Sequence, residues 1–288
     1  MRRSTDLLIL AADALIDLQV HTHLSDGTWL PEQLIDHLQG AGFALAAITD
    51  HDRVDTAVAL QQLAAEKHFP LLVAAEMTTS WQGAMTDVLC FGFDPQKQAL
   101  RTLAQSVLQR QQDNTRAAFA HLVGKGLPLQ PDELDAILAK PSAQQPKELE
   151  LLLRRHGYES GEKHPGRLLW EAGVDFATNP IADVVEAAHQ DGAVCILAHP
   201  GRDDGFVPFD VERLDALRRE VPLDGIEVYY PLHTPQQLEL YLAYAKQHDL
   251  LVSSGSDSHR PDKPPIPYRA ELSRNLLERL GIQVSASS

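Results

Sequence analysis

Cysteine is scarce in this sequence, long apolar runs are missing, and basic residues are too few to balance the acids. Only Cys90 and Cys195 occur in 288 residues, which argues against a disulfide-stapled secreted scaffold. Each lies inside an apolar run, at 88–93 and 193–197, so buried core thiols in a reducing compartment are expected. No stretch reaches the ~18 apolar residues that a membrane span requires. Met1-Arg2-Arg3 and the apolar residues 7–12 faintly imitate a signal peptide. Asp13 interrupts that run, and 16–18 lead directly into a strand, so cleavage would cut the fold. A cytoplasmic protein is expected.

Lys and Arg number 25 against 40 Asp and Glu, a formal net charge of −15. That balance argues against a surface built to coat long duplex nucleic acid. The deficit is uneven. Residues 95–176 hold 11 basic and 10 acidic side chains, leaving 14 and 30 for the remainder. An acidic body around a near-neutral middle suits a carboxylate-lined metal site with a more cationic insert. With 44% apolar and 23% charged residues, the chain can bury a full core.

Hydrophobic periodicity alternates strand and helix from 15 to 93. Strands are expected at 16–22, 45–49, 71–75 and 88–93, with helices at 31–40 and 54–67. Pro31 suits a first helical turn, and Gly40-Ala41-Gly42 stops that helix. The middle then changes character, with helices at 96–123, 132–138 and 147–155 and a Gly/Pro/His-rich linker at 157–166. Alternation resumes with helices at 181–190, 211–219 and 235–248 and strands at 194–198, 225–229 and 250–254. Residues 260–267, with four prolines, read as an extended strap. About seven strands, each followed by a helix, favour an α/β fold with a parallel barrel and its site at the strand C-termini. The domain division expected is 1–95 with 177–288 for the barrel and 96–176 for a helical insert.

Four short stretches carry the chemistry: Val20-His21-Thr22-His23-Leu24-Ser25-Asp26-Gly27, Thr49-Asp50-His51-Asp52, Ala198-His199-Pro200-Gly201-Arg202 and Gly255-Ser256-Asp257-Ser258-His259. His21, Asp26, His51, Glu76, His199, Asp257 and His259 all fall at or just beyond an expected strand end. Seven such ligands on one rim would repel and stay hydrated without a cation. A set this rich can hold two or three Mn²⁺, Fe or Zn²⁺ ions, with Mg²⁺ also compatible. Its carboxylates can bridge neighbouring metals, which suits a multinuclear hydrolytic site.

These motifs, in this order, resemble the polymerase and histidinol phosphatase (PHP) superfamily, and specifically its small metal-dependent phosphoesterases. Gly225-Ile226-Glu227-Val228-Tyr229-Tyr230 matches the same group, and the resemblance covers nearly the whole chain. It implies a distorted (βα)7 barrel, a helical insert and a site that commonly holds three metals. In the family the second histidine of a His-x-His pair precedes the Asp of Ser-Asp-Gly by five residues. His21 therefore takes that slot, Gln19 takes the first, and His23 is an extra loop histidine. Asp87 stands where the family usually has His before the fourth strand.

The resemblance implies that Gln19, His21, Glu76 and Asp257 surround one metal. Glu76, Asp87 and His199 would hold a second, and Asp26, His51 and His259 a third. It further implies hydrolysis of a phosphomonoester or terminal phosphodiester by a metal-activated hydroxide, on a small phosphorylated substrate such as a nucleotide or short oligonucleotide. Arg202 and His233 are candidates to clamp phosphate oxygens. A barrel that binds a phosphorylated ligand without turnover, and a histidinol-phosphate-type phosphatase, are the alternatives.

Other polar and aromatic residues read as structural. His37, His68, His121, His189 and His248 suit helix surfaces or ends. Trp29 and Trp81 suit rim packing. Asp50 and Asp52 fit either support for the ligands or turn formation.

Overall fold

The computed structural model describes residues 5, 7–161 and 164–286. Met1-Arg2-Arg3, part of the signal-like reading, and residues 162–163 of the expected linker lie outside them. Strands and helices alternate in two runs, because short apolar segments are separated by amphipathic ones. The first run holds β1 (Ile9–Leu10), β2 (Leu15–Val20), α1 (Pro31–Gly40), β3 (Phe43–Ile48), α2 (Ala57–Glu66), β4 (Leu71–Leu72) and β5 (Ala74–Met77). It continues through β6 (Thr79–Trp81), β7 (Ala84–Met85), β8 (Val88–Phe91) and α3 (Ala99–Gly124). Then come α4 (Pro131–Leu138), α5 (Gln145–Arg155), α6 (Pro165–Glu171) and β9 (Asn179–Pro180). The second run is α7 (Ile181–Gln190), β10 (Val194–Leu197), α8 (Val211–Glu220), β11 (Gly225–Tyr229), α9 (Pro235–Gln247) and β12 (Leu251–Ser254). β13 (Tyr268–Arg269), α10 (Arg274–Arg279) and β14 (Gln283–Val284) follow.

Two sheets carry the site. One has the order β12-β11-β10-β8-β5 and the other β13-β2-β3-β4. The pairs β2–β3, β3–β4, β10–β11 and β11–β12 are parallel. β8 is antiparallel to both of its neighbours, which corrects the expectation of an all-parallel arrangement. The reason is chain length. A parallel return needs a crossover of a dozen or more residues, and only the short β6–β7 excursion separates β5 from β8. The reversal brings the start of β8, and Asp87 just before it, to the rim where the other strands end.

Isolated parallel bridges join the two sheets at that rim, Val20 with Ser258 and His51 with Glu76. Backbone hydrogen bonds reinforce them: His21 N–H to Ser258 O at 2.9 Å, Asp257 N–H to Gln19 O at 2.9 Å and Asp52 N–H to Glu76 O at 2.8 Å. Alternate side chains of both sheets, among them Ile16, Leu18, Leu45, Phe91 and Ile196, pack into one buried core. A second cluster seats α1 and α2 on β2 and β3 through Leu34, Ile35, Leu38, Leu60 and Ile48.

The chain divides into two compact units, 1–103 with 179–288, and 104–178. The second is helical and has a core of its own built on Phe119, Leu122, Leu149, Leu152 and Leu168. Its α6 begins within the expected linker, because His164 accepts from Gly166 N–H as an N-cap and Pro165 fills the first turn. Leu168 and Leu169 then reach the core. No helix among the described residues is long and apolar enough to cross a membrane.

Candidate metal centre

Glu76 is the hub. It ends β5 fully buried, and its carboxylate meets side chains from three other stretches of chain. Oε2 accepts from Gln19 Nε2 at 3.1 Å and lies 3.1 Å from His21 Nε2 and 3.7 Å from His51 Nε2. Oε1 lies 3.0 Å from His199 Nε2. Around this hub His21 contacts Asp257 Oδ1 at 3.2 Å. Asp26 lies 3.3 Å from His259 Nε2 and 4.0 Å from His51 Nε2. The imidazoles of His51 and His259 stack on that of His21, with centroids at 4.9 and 4.3 Å.

The ligand atoms fall into three sets, each within 4.8 Å: His21, Glu76 and Asp257; His51, Glu76 and Asp87; and His21, Asp26, His51 and His259. The first and third hold residues expected together. The second differs, since His51 accompanies Asp87 and His199 touches Glu76 from the side. Gln19 and His21 share the buried face of β2 and its extension, whereas His23 is exposed.

The surroundings were less legible. Asp50 accepts from Thr22 N–H (2.6 Å), Thr22 Oγ1 (2.7 Å) and Ser25 Oγ (2.8 Å), and so shapes the loop carrying Asp26. Glu227, fully buried, accepts from His199 N–H at 2.9 Å. Tyr230 donates to Asp257 Oδ2 at 3.3 Å. Sequence reasoning assigned neither Glu227 nor Tyr230 a role, although an ionisable residue inside an apolar strand was the available signal. Trp29 and Trp81 are buried and donate to Ser258 Oγ and Glu220 Oε2, as rim packing requires.

His233 corrects an expectation. Its Nδ1 bonds Val228 O at 2.9 Å and its Nε2 accepts from Gly201 N–H at 3.1 Å. Burial lowers its pKa to about 4. Both nitrogens hold backbone, so His233 supports the turn after His199 and does not clamp phosphate. His156 and His164 are likewise structural, pairing with Glu133 at 2.8 Å and capping α6.

The electrostatics are those of ligands crowded without a cation. Burial, then the charges of Glu76 and Asp52, push the Asp87 carboxyl well above its usual range. Burial does the same to Glu227. Burial also opposes ionisation of Glu76, yet His51, His199 and His21 hold it well below the usual range. Against burial, Asp257 and Glu76 raise His21, while burial itself lowers His51. His199, Asp257 and Asp52 also carry φ angles of 27°, 54° and 54°, strain of a kind concentrated at functional sites.

Divalent cations fit this donor set. Carboxylates and imidazoles converge, and Gln19 Oε1 and His199 Nδ1 are buried without a hydrogen-bond partner among the described residues. Asp26 and His259, with side chains 30% and 27% exposed, mark the open side. There a cavity of about 540 Å³ is lined by Asp26, Arg202, Tyr230, Asp257, His259 and Lys263.

Gly27 keeps the first loop close. A Cβ there would stand 2.6 Å from the His21 carbonyl oxygen, a backbone atom that cannot rotate away. Gly27→Ala is expected to cost about 1–3 kcal/mol of stability and to weaken cation binding. Thermal melts with and without Mn²⁺ measure both, and an unchanged metal-induced rise in Tm would refute the second effect.

No family model matches the chain. The sequence is 28% identical over 287 residues to a 3′,5′-nucleoside bisphosphate phosphatase of Chromobacterium violaceum, covering 91% of this chain and 98% of that one. It is 25% identical over 248 residues to a 5′-3′ exoribonuclease of Haemophilus influenzae, covering 85% and 90%. Among solved structures, a Bifidobacterium adolescentis protein provisionally described as a metal-dependent phosphoesterase superposes with a TM-score of 0.75 at 25% identity. It covers 92% of this chain and 96% of that one.

Proposed function

We propose that this chain, a metal-dependent phosphoesterase of the PHP superfamily, removes phosphate from a nucleotide or cleaves the terminal phosphodiester of a short oligonucleotide. The observation that carries the reading is the convergence on Glu76 of Gln19, His21, His51 and His199. The similarity to a nucleoside bisphosphate phosphatase and an exoribonuclease supports the substrate class. We read the two bridged sheets as a distorted (βα)7 barrel, with the site at its rim.

In this reading His21, Glu76 and Asp257, with Gln19 beside them, hold one cation. Glu76 and Asp87, with His51 or His199, hold another, and Asp26, His51 and His259 hold a third. When bound, Mn²⁺, Fe²⁺ or Zn²⁺ would activate water and neutralise phosphoryl charge. Glu76 belongs to two sets, so its carboxylate fixes their spacing. Asp87 replaces a neutral imidazole with a carboxylate, which shifts its set toward harder metals. Tyr230 and His21 orient Asp257 from opposite oxygens.

Arg202 binds phosphate. Its guanidinium is held by Asp204, lies 4.7 Å above Phe206 and comes within 3.7 Å of Asp257. Arg202→Ala is expected to raise KM or lower kcat by ~10-fold or more, the loss of a charge-assisted hydrogen bond of about 1.5–3 kcal/mol. Unchanged steady-state kinetics would remove it from the site.

Phosphate release from nucleoside bisphosphates, monophosphates and 5′-phosphorylated oligonucleotides, with Mn²⁺ supplied, tests the whole reading. Turnover of at least one class is expected. No release from any of them would overturn it.

A further inference from the structure

We propose that Cys195, His189 and Asp224, with Cys90 alongside, form a second metal site, separate from the rim, that takes one Zn²⁺ or similar borderline divalent cation. Both of the chain's cysteines are involved, although they lie far apart in sequence. Cys195 follows the first residue of β10, Asp224 directly precedes β11, and His189 lies in the last turn of α7. Because β8 runs antiparallel, Cys90 reaches the same end of the sheet and is the direct register partner of Cys195. Their side chains therefore share a face, with Cβ atoms about 4.5–5.5 Å apart for such a pair. His199 lies four residues further along, roughly 13 Å away at the usual strand rise.

The geometry brings three ligand side chains together, with Cys90 next to them across the strand pair. Ligand atoms of His189, Cys195 and Asp224 lie within 4.8 Å of one another. His189 Nε2 is 2.8 Å from Asp224 Oδ2, and the same oxygen accepts from Cys195 N–H at 2.8 Å. The Cys195 thiol lies within 4.8 Å of the His189 and Asp224 ligand atoms, and on the neighbouring strand the Cys90 thiol donates to Val88 O at 3.9 Å. Thiolate, imidazole and carboxylate are donors zinc takes, and with these three in place the neighbouring Cys90 thiolate or a water would complete a tetrahedron. The His189–Asp224 pair alone would anchor α7 to the sheet. It does not account for two thiols gathered beside it.

A route in exists. Both thiols are buried, whereas the side chains of His189 and Asp224 are 34% and 24% exposed. His189 opens onto a surface cleft of about 570 Å³ that Glu186 and Glu220 also line, acidic groups that attract a cation. Metal binding would convert the ligating thiols to thiolates and release their protons to solvent.

Titration of the reduced full-length protein with Co²⁺ tests this, because thiolate ligation produces a near-ultraviolet charge-transfer band that the oxygen and nitrogen ligands of the rim do not. The band is expected to reach the intensity of one thiolate-bound Co²⁺ per chain, whatever further Co²⁺ the rim takes up, and to vanish in Cys195→Ala, with phosphate release retained. Its absence from the wild-type protein at saturating Co²⁺ would overturn the site. Should Cys195→Ala fail to fold, the half-exposed His189→Asn decides. A weakened band and zinc content lowered by one equivalent are expected there, and an unchanged band with unchanged zinc would count against the proposal.

Discussion

Glu76→Gln is expected to lower phosphate release and metal occupancy together, by roughly two to four orders of magnitude. The substitution keeps the shape of the side chain and removes one negative charge from the centre of four neighbours. Gln19, His21, His51 and His199 all lose it at once. Breaking a buried charge pair by removing one partner costs about 3–5 kcal/mol, which sets that range. The glutamine amide would also place N–H groups where an imidazole nitrogen or a cation belongs. Metal content by mass spectrometry, read beside kcat, distinguishes this from a simple packing defect. Full metal content with full activity would show that Glu76 is not the hub.

Asp17→Asn should reshape the pH dependence of stability. Asp17 is fully buried in β2. It accepts from Ser256 N–H (3.0 Å), Ile266 N–H (3.0 Å) and Gln19 N–H (3.2 Å), and so ties β2 to the last motif and the strap. Burial outweighs those hydrogen bonds and raises its pKa from 3.8 to about 7. The raised folded value means the native state keeps a proton that the unfolded chain gives up near pH 4. Stability from this group is therefore complete below pH ~4, falls as pH rises and is lost above pH ~7, a swing of about 4 kcal/mol. Asp87 and Glu227, also raised by burial, act in the same direction. Glu76, Asp26 and Asp257 are lowered and act oppositely, losing their contribution as pH falls through their folded values.

Asparagine cannot titrate, so its hydrogen-bond cost is a constant offset and only the slope changes. Urea titrations of metal-free wild-type and Asp17→Asn protein between pH 4 and 7.5 should give curves that converge or cross as pH rises. Parallel curves would mean that Asp17 ionises normally in the fold.

Much of the candidate site was legible because its residues follow strands. An apolar, β-branched run ending in His or Asp places that side chain at the end of a strand, which is why His21, His51, His199 and Asp257 stood out. Gln19 was legible only through the resemblance, since a buried neutral amide carries no signal of its own. Asp17, Glu227 and Tyr230 were passed over because their neighbours are apolar, and a strand pattern does not say which polar interruption is buried. His233 was misread for the converse reason. A histidine after a motif strand looks available for substrate until the backbone groups that occupy both its nitrogens are in view.

Local pattern was enough to determine the donor types, their placement at strand ends, the acidic body and most helix and strand positions, because each depends on contacts within a few residues. Pairing was decided elsewhere. That His51 comes within reach of Asp87 while His199 meets Glu76, that β8 reverses, and that Cys90 is paired with Cys195 are consequences of strand order and register. Those join residues well separated along the chain, by more than a hundred positions for Cys90 and Cys195, and one residue's change of register would turn every side chain of a strand to the opposite face.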